Sequence, residues 1–262
     1  MMIFCFRRPP RRLLSSTRLQ NTDVVFFRIP LVSQWKVLRP LIDCLADHCR
    51  ITCLVLNNLS IPFENKRIMV QTDSLLHALV EHMRLLPTET YLICICLMNI
   101  SFFEEAHYKL MYYCPTPPNL VLENPESLLR TLESIVQTFS PLMLQSTKVS
   151  VEGEAVRWAT GLIRNLVSEQ HTHHHAKLVS QTKIPLCLLT ALKDSRQPIS
   201  KWKADTLEDM ALQVLLNLAK WPESCRQLQQ LQAQTYLQHI EGKGGIHDMR
   251  ASWIRCSIES LS

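Results

Sequence analysis

Four apolar runs of helical period close on the same short phrase: LVLNNLS at 54–60, CLMNIS at 96–101, LIRNLV at 162–167 and VLLNLA at 214–219. Their asparagines, Asn58, Asn99, Asn165 and Asn217, stand 41, 66 and 52 residues apart. A supersecondary unit that recurs at such a period cannot bury its apolar side alone and must stack on its neighbours. Self-similarity therefore confines the chain to a stacked, repeat-built architecture. The clearest run is 206–219, where Leu207, Met210, Ala211, Val214, Leu215 and Leu218 fall on one helix face. Asp205, with Glu208 three residues on, predicts a start of capping-box type for this helix.

The segments after the asparagines repeat as well. After Asn58 come a proline-containing turn, a short helix near 64–71 and a second helix near 74–86 with the stripe Leu75, Leu76, Leu79, Val80 and Met83. Thr88 is placed to cap a third helix that runs into Asn99. Ile29-Pro30 and Ile184-Pro185 each open a second helix, since proline suits a first turn. No stretch alternates with strand period between glycine-containing turns, so the expected fold is all-α. Two insertions lengthen the spacing. One is 114–125 (CPTPPNLVLENP), after which Asn124-Pro125-Glu126 reads as a helix start; the other is the polar stretch 194–204. The expected domain plan is a basic, disordered leader over 1–22, a repeat domain over 23–241, and a glycine-rich flexible break with a short segment over 242–262.

Composition excludes several functions. The chain has five glycines in 262 residues (Gly153, Gly161, Gly242, Gly244 and Gly245), and none follows a strand-like run. Sites that cradle phosphate with bare backbone need clustered glycines there, so P-loop and dinucleotide-binding chemistry are excluded. The net charge of +5 resides in Arg7, Arg8, Arg11, Arg12 and Arg18 of the leader; the rest balances 23 basic against 23 acidic residues. A balanced body has no general attraction for phosphate backbones, and no nucleic-acid binding by it is expected. The leader is rich in arginine and serine and free of acid, as organelle-targeting segments are, although Pro9-Pro10 interrupts an amphipathic helix. The expectation is an intracellular soluble protein of cytoplasm or nucleus, with an organelle address as the alternative. Cys44, Cys49, Cys53, Cys94, Cys96, Cys187 and Cys225 lie in helical apolar runs, where free cysteine acts as a small hydrophobe in a reducing compartment. The longest apolar stretch, Tyr91 to Phe103, falls well short of the ~20 residues of a membrane span.

Residues 58–80, NLSIPFENKRIMVQTDSLLHALV, resemble the armadillo-repeat family, and residues 165–189 do so more loosely, with Gln181-Thr182-Lys183 where the family has glycine. The likeness extends over about residues 25–240. It implies a right-handed superhelix of about four irregular three-helix repeats. It also implies that Asn58, Asn99, Asn165 and Asn217 lie on the concave surface and grip the backbone of an extended peptide. A side-chain amide matches a peptide unit's donor and acceptor whatever the sequence; the competing role is local bonding to the helix end. Nuclear-import receptors of the family carry a tryptophan four residues before the asparagine. Here those positions are Leu54, Ile95, Gly161 and Gln213, which argues against such cargo. Eight residues before each asparagine lie Arg50, Tyr91, Arg157 and Asp209. Arg157, with Arg164 beside Asn165, makes the middle of the groove locally basic and points to an acidic or phosphorylated partner.

Other chemistry-bearing patterns have plainer readings. His171, His173, His174 and His175 lack cysteine or carboxylate partners at ligand spacing and read as a solvated cluster. Glu104 and His107 have the Glu-x-x-His spacing of di-iron bundles but no second pair. No catalytic set, metal or cofactor is expected. The function expected is that of a non-enzymatic, monomeric interaction module that binds a peptide or a partner helix in the groove. The alternative is a regulator of a catalytic partner that grips a folded domain, as solenoid exchange factors do.

Overall fold

The computed structural model describes residues 38–46, 50–85, 88–112, 128–145, 150–168, 173–195, 204–242 and 244–260. Among them are fourteen α-helices and no strand. The first two are α1 (Leu38–Ala46) and α2 (Arg50–Leu59). Four triplets follow: α3 (Phe63–Gln71), α4 (Asp73–Leu85) and α5 (Thr90–Ile100); α6 (Glu105–Met111), α7 (Leu128–Gln145) and α8 (Val151–Leu166); α9 (His173–Ser180), α10 (Ile184–Lys193) and α11 (Leu207–Ala219); α12 (Pro222–Gln230), α13 (Ala233–Leu237) and α14 (Gly245–Glu259). The leader, Ile29-Pro30, Cys49, the 114–125 insertion with Asn124-Pro125-Glu126, and His171 lie outside the described residues.

Equivalent helices stack on one another. The third helices α2, α5, α8, α11 and α14 form one row and the second helices α1, α4, α7, α10 and α13 another, while the first helices pair as α3 with α6 and α9 with α12. Between the rows runs one continuous apolar core that includes Leu56, Leu76, Leu79, Ile93, Leu97, Leu162, Leu189, Leu215 and Leu228. The asparagine phrase stops one unit early, because α14 is a third helix without it. Its Ala251, Ile254 and Ile258 are buried, and it packs on α11 and α12. The glycines before it have φ of 76°, 74° and 87° at Gly242, Gly244 and Gly245. There the N–H groups of Gly242 and Gly244 donate to the Asp248 carboxylate at 3.1 and 2.9 Å. The glycine-rich stretch thus turns the chain into a packed helix.

The helix starts differ from the sequence expectation in two places. The α11 cap is Thr206, whose hydroxyl accepts from the Asp209 N–H at 3.3 Å; Asp205 has a φ of 64° and turns away, and Glu208 instead accepts from the Ser195 hydroxyl at 2.6 Å. Thr88 does not cap α5. Its hydroxyl donates to the Glu89 carboxylate, and α5 begins without a side-chain cap. Two of the junctions between first and second helices, which hold no glycine here, are closed by threonine: Thr72 donates to the Ile68 carbonyl at 2.8 Å and Thr182 to the Val179 carbonyl at 2.7 Å. Glu133 of α7 then accepts the Lys183 N–H at 2.8 Å and so anchors the start of α10.

The cysteines divide by position. Cys53, Cys94, Cys96 and Cys225 are buried, Cys187 is half-buried, and Cys44, expected inside, is exposed. Burial pushes the Cys94 and Cys96 thiols up to about 12, so both remain neutral core groups. Among the described residues no helix is long and apolar enough to cross a membrane.

Candidate binding face

The asparagines lie at the ends of third helices, where α-helices leave carbonyls without intrahelical partners. A serine closes each of the first three: Ser60 donates to the Asn57 carbonyl at 2.6 Å, Ser101 to the Met98 carbonyl at 2.7 Å and Ser168 to the Asn165 carbonyl at 2.8 Å. At the first two of these ends the next unit's asparagine reaches back to the serine. The Asn99 amide donates to Ser60 Oγ at 3.0 Å and to Asn57 Oδ1 at 3.1 Å. The Asn165 amide donates to Ser101 Oγ at 2.9 Å and to the Met98 carbonyl at 3.3 Å. Asn165 Oδ1 in turn accepts from Arg164 Nε at 3.2 Å and from its second guanidinium nitrogen at 3.1 Å.

These bonds give Asn99 and Asn165 a use that the resemblance does not imply. Their amide hydrogens, expected to face a peptide, join each unit to the one before it. At Asn165 both ends of the amide are engaged, and the residue is buried. Asn217 is buried as well and accepts from Lys220 Nζ at 2.7 Å. Asn58 is exposed, and the neighbouring Asn57 takes the inter-repeat bond. Replacing Asn165 by alanine leaves Ser101 and Arg164 without their amide partner inside the stack. The expected loss is about 1–3 kcal/mol of stability, measured by urea unfolding followed by circular dichroism.

A second repeating device has no counterpart in the sequence expectations. Each of the first helices α3, α6 and α9 offers one polar side chain to the end of the third helix before it. Asn65 donates to the Leu59 carbonyl at 2.9 Å, while ring nitrogens of His107 and His175 lie 2.6 and 3.0 Å from the Ser101 and Leu166 carbonyls. The signal was the position of these residues, six to nine after the carbonyls they reach, and the change of residue type hid it. It also accounts for two eye-catching histidine patterns. His107 of the Glu-x-x-His pair is a helix-end partner. The histidine cluster divides: His175 turns inward beside Tyr112, and His173 stacks edge-on against Trp221. Burial lowers the His175 pKa and favours the neutral ring. Among the described residues no three His, Cys, Asp or Glu side chains are placed to hold a metal.

Along the third-helix face the positions before the asparagines meet across the units. Arg50 of α2 donates to the Tyr91 hydroxyl of α5 at 3.0 Å. Leu54 is exposed, Ile95 and Gln213 are half-buried, and Gly161 is buried. On α8 the basic centre exists, but it carries its own counter-charges. Arg157 lies over the Trp158 ring and bonds both Glu154 carboxylate oxygens at 3.1 and 3.2 Å. Its Nε donates to the Asp205 carbonyl at 2.7 Å. Arg164 donates to Asp205 Oδ1 at 3.3 Å. At the far end Asp209 is buried beneath Arg250 and His247 of α14.

No protein-family model and no curated protein matches the chain. Solved structures do match. One comes from the interaction between cadherin and beta-catenin, which a conserved phosphorylation switch controls in vitro and in vivo. It superposes with a TM-score of 0.51 at 12% sequence identity, over 88% of this chain and 56% of that one. At such identity the likeness concerns the fold, an all-α solenoid of armadillo type, and the present chain spans little more than half of its neighbour's length.

Proposed function

We propose that the protein is a non-enzymatic interaction module that binds an extended segment or a partner helix of another protein along its third-helix face. The observation that carries this reading is the unbroken row α2–α5–α8–α11–α14. It sets side chains of mixed character at regular intervals on one face: Leu54 and Asn58, then Tyr91 and Ile95 with Asn99, then Arg157 and Arg164, then Gln213, Asn217 and Lys220. A repeat array presents such a surface because every unit contributes the same helix to it. Asn99 and Asn165 serve this face by fixing the spacing between units, while the ligand-facing groups are the exposed and half-buried members. The fold shared with a structure of a cadherin–beta-catenin interaction supports a protein as the ligand. The alternative, a regulator gripping a folded catalytic domain, uses the same face and differs in what the face needs to see.

The test compares capture of cellular partners by the wild type, a Leu54→Asp/Lys220→Glu variant of the third-helix face, and a Leu186→Asp variant of the second-helix row. All three residues are exposed, so the fold is expected to survive, with circular dichroism as the check. Loss of a partner from the first variant and its retention by the second is the expected outcome; the reverse pattern overturns the proposal. A synthetic segment of that partner should then bind by itself, whereas a need for the whole folded domain favours the alternative.

A further inference from the structure

We infer that Asp205 is a built-in occupant of the Arg157–Arg164 pair, and that the natural ligand of the third-helix face places an anionic side chain there in its stead. This rests on the reading of that face as the binding face and adds the ligand's chemistry and its internal competitor. Arg164 is held in place: Asn165 Oδ1 accepts two of its N–H groups, and its side chain is only 14% exposed. The carboxylate facing it comes from Asp205, whose side chain is 58% exposed. The cation is therefore fixed and the anion lies on the solvent side, so the anion is the exchangeable partner. Asp205 reaches the pair through its backbone too, since its carbonyl accepts from Arg157 Nε at 2.7 Å.

The conformation of Asp205 agrees with this role. Its φ of 64° lies in the left-handed region, which residues other than glycine enter rarely. That turn carries it away from the α11 cap, a place taken by Thr206. Both arginines belong to α8, one unit earlier, so the contact spans two units across the binding face. Glu154 remains on Arg157 in either state, as it also accepts from Trp158 Nε1 at 2.9 Å. Arg164, by contrast, has Asp205 as its ion-pair partner, and an arriving carboxylate or phosphate exchanges one ion pair for another. Apparent affinity is then reduced by the fraction of molecules in which Asp205 holds the pair.

The experiment measures binding of a fluorescent oligoglutamate peptide, a phosphoserine peptide of equal length and an uncharged glutamine peptide to the full chain. Asp205→Asn removes the charge and retains a residue that tolerates positive φ. It is expected to bind the anionic peptides about tenfold more tightly than wild type, and Asp205→Gly should match it. The gain should shrink with added salt and vanish in Arg157→Gln/Arg164→Gln. Preference between glutamate and phosphoserine identifies the source of the anion. Equal affinity of wild type and Asp205→Asn, lost from the arginine variant, overturns Asp205 as competitor and leaves the binding face standing. No binding of either anionic peptide to Asp205→Asn overturns the anionic ligand, and the Leu54/Lys220 capture result then decides independently whether the face itself binds protein.

Discussion

Arg250→Ala is expected to cost the C-terminal unit about 3–5 kcal/mol, the usual penalty for leaving a buried charge without its partner. The Asp209 side chain is 5% exposed and Arg250 20%. Arg250, on α14, donates to Asp209 Oδ1, and His247 Nδ1 of the same helix lies 3.6 Å from that oxygen. Gln213 donates to the other oxygen at 2.5 Å. Truncating Arg250 leaves Asp209 with a neutral amide and whatever charge His247 carries. Because a solenoid's units are coupled chiefly to their neighbours, the damage should be local. Amides of α14 should lose hydrogen-exchange protection while those of α5 and α8 retain it. Asp209→Ala/Arg250→Ala should recover part of the loss, since neither charge is then stranded. A cost below about 1 kcal/mol would reduce the pair to an ordinary surface ion pair.

Gly161→Trp is expected to destabilise the protein by at least about 3 kcal/mol, the upper end for overpacking. A Cβ at Gly161 would stand 2.8 Å from Met98 Sδ and 2.9 Å from Met210 Sδ, one on each neighbouring third helix. The glycine therefore sets how closely α5, α8 and α11 approach in the middle of the row. A tryptophan here, as nuclear-import receptors carry four residues before their asparagines, has no room, because the space for its ring is filled by two thioethers. Gly161→Ala should cost less, because alanine recovers about 1 kcal/mol of helix propensity and methionine side chains can shift. Met98→Ala combined with Gly161→Ala should be closer to wild type than the sum of the single effects, as read by urea unfolding. Additive costs would show that the methionines do not set the approach.

Much of the architecture is legible in the residues because it comes from helical periodicity. The stripe Leu207, Met210, Ala211, Val214, Leu215 and Leu218 is buried along α11, and Pro185 lies in the first turn of α10, both as the spacing implies. The unit ending in α14 is hidden for the same reason: the asparagine phrase is absent there, and the glycines before it read as a break. The site is less legible. The phrase LNNLS offers two asparagines, and only the stacked neighbour decides that Asn57 takes the bond between units while Asn58 stays exposed. Arg157 and Arg164 read as an open basic centre without their counter-charges, because Glu154 is close in sequence but Asp205 lies some forty residues away.

Helicity, the recurrence of units and the apolar face of each helix are local properties, written into residue order by side-chain periodicity and by the chemistry of caps and turns. The work of the polar residues is settled only when the units stack. A buried amide or guanidinium must find a partner wherever stacking places one: the amide hydrogens of Asn99 and Asn165 go to the preceding unit, and the carboxylate on Arg164 comes from the following one. Whether an asparagine faces a ligand or the preceding repeat, and whether an arginine pair stands open or is already occupied, depends on distances between units that no run of residues encodes within itself.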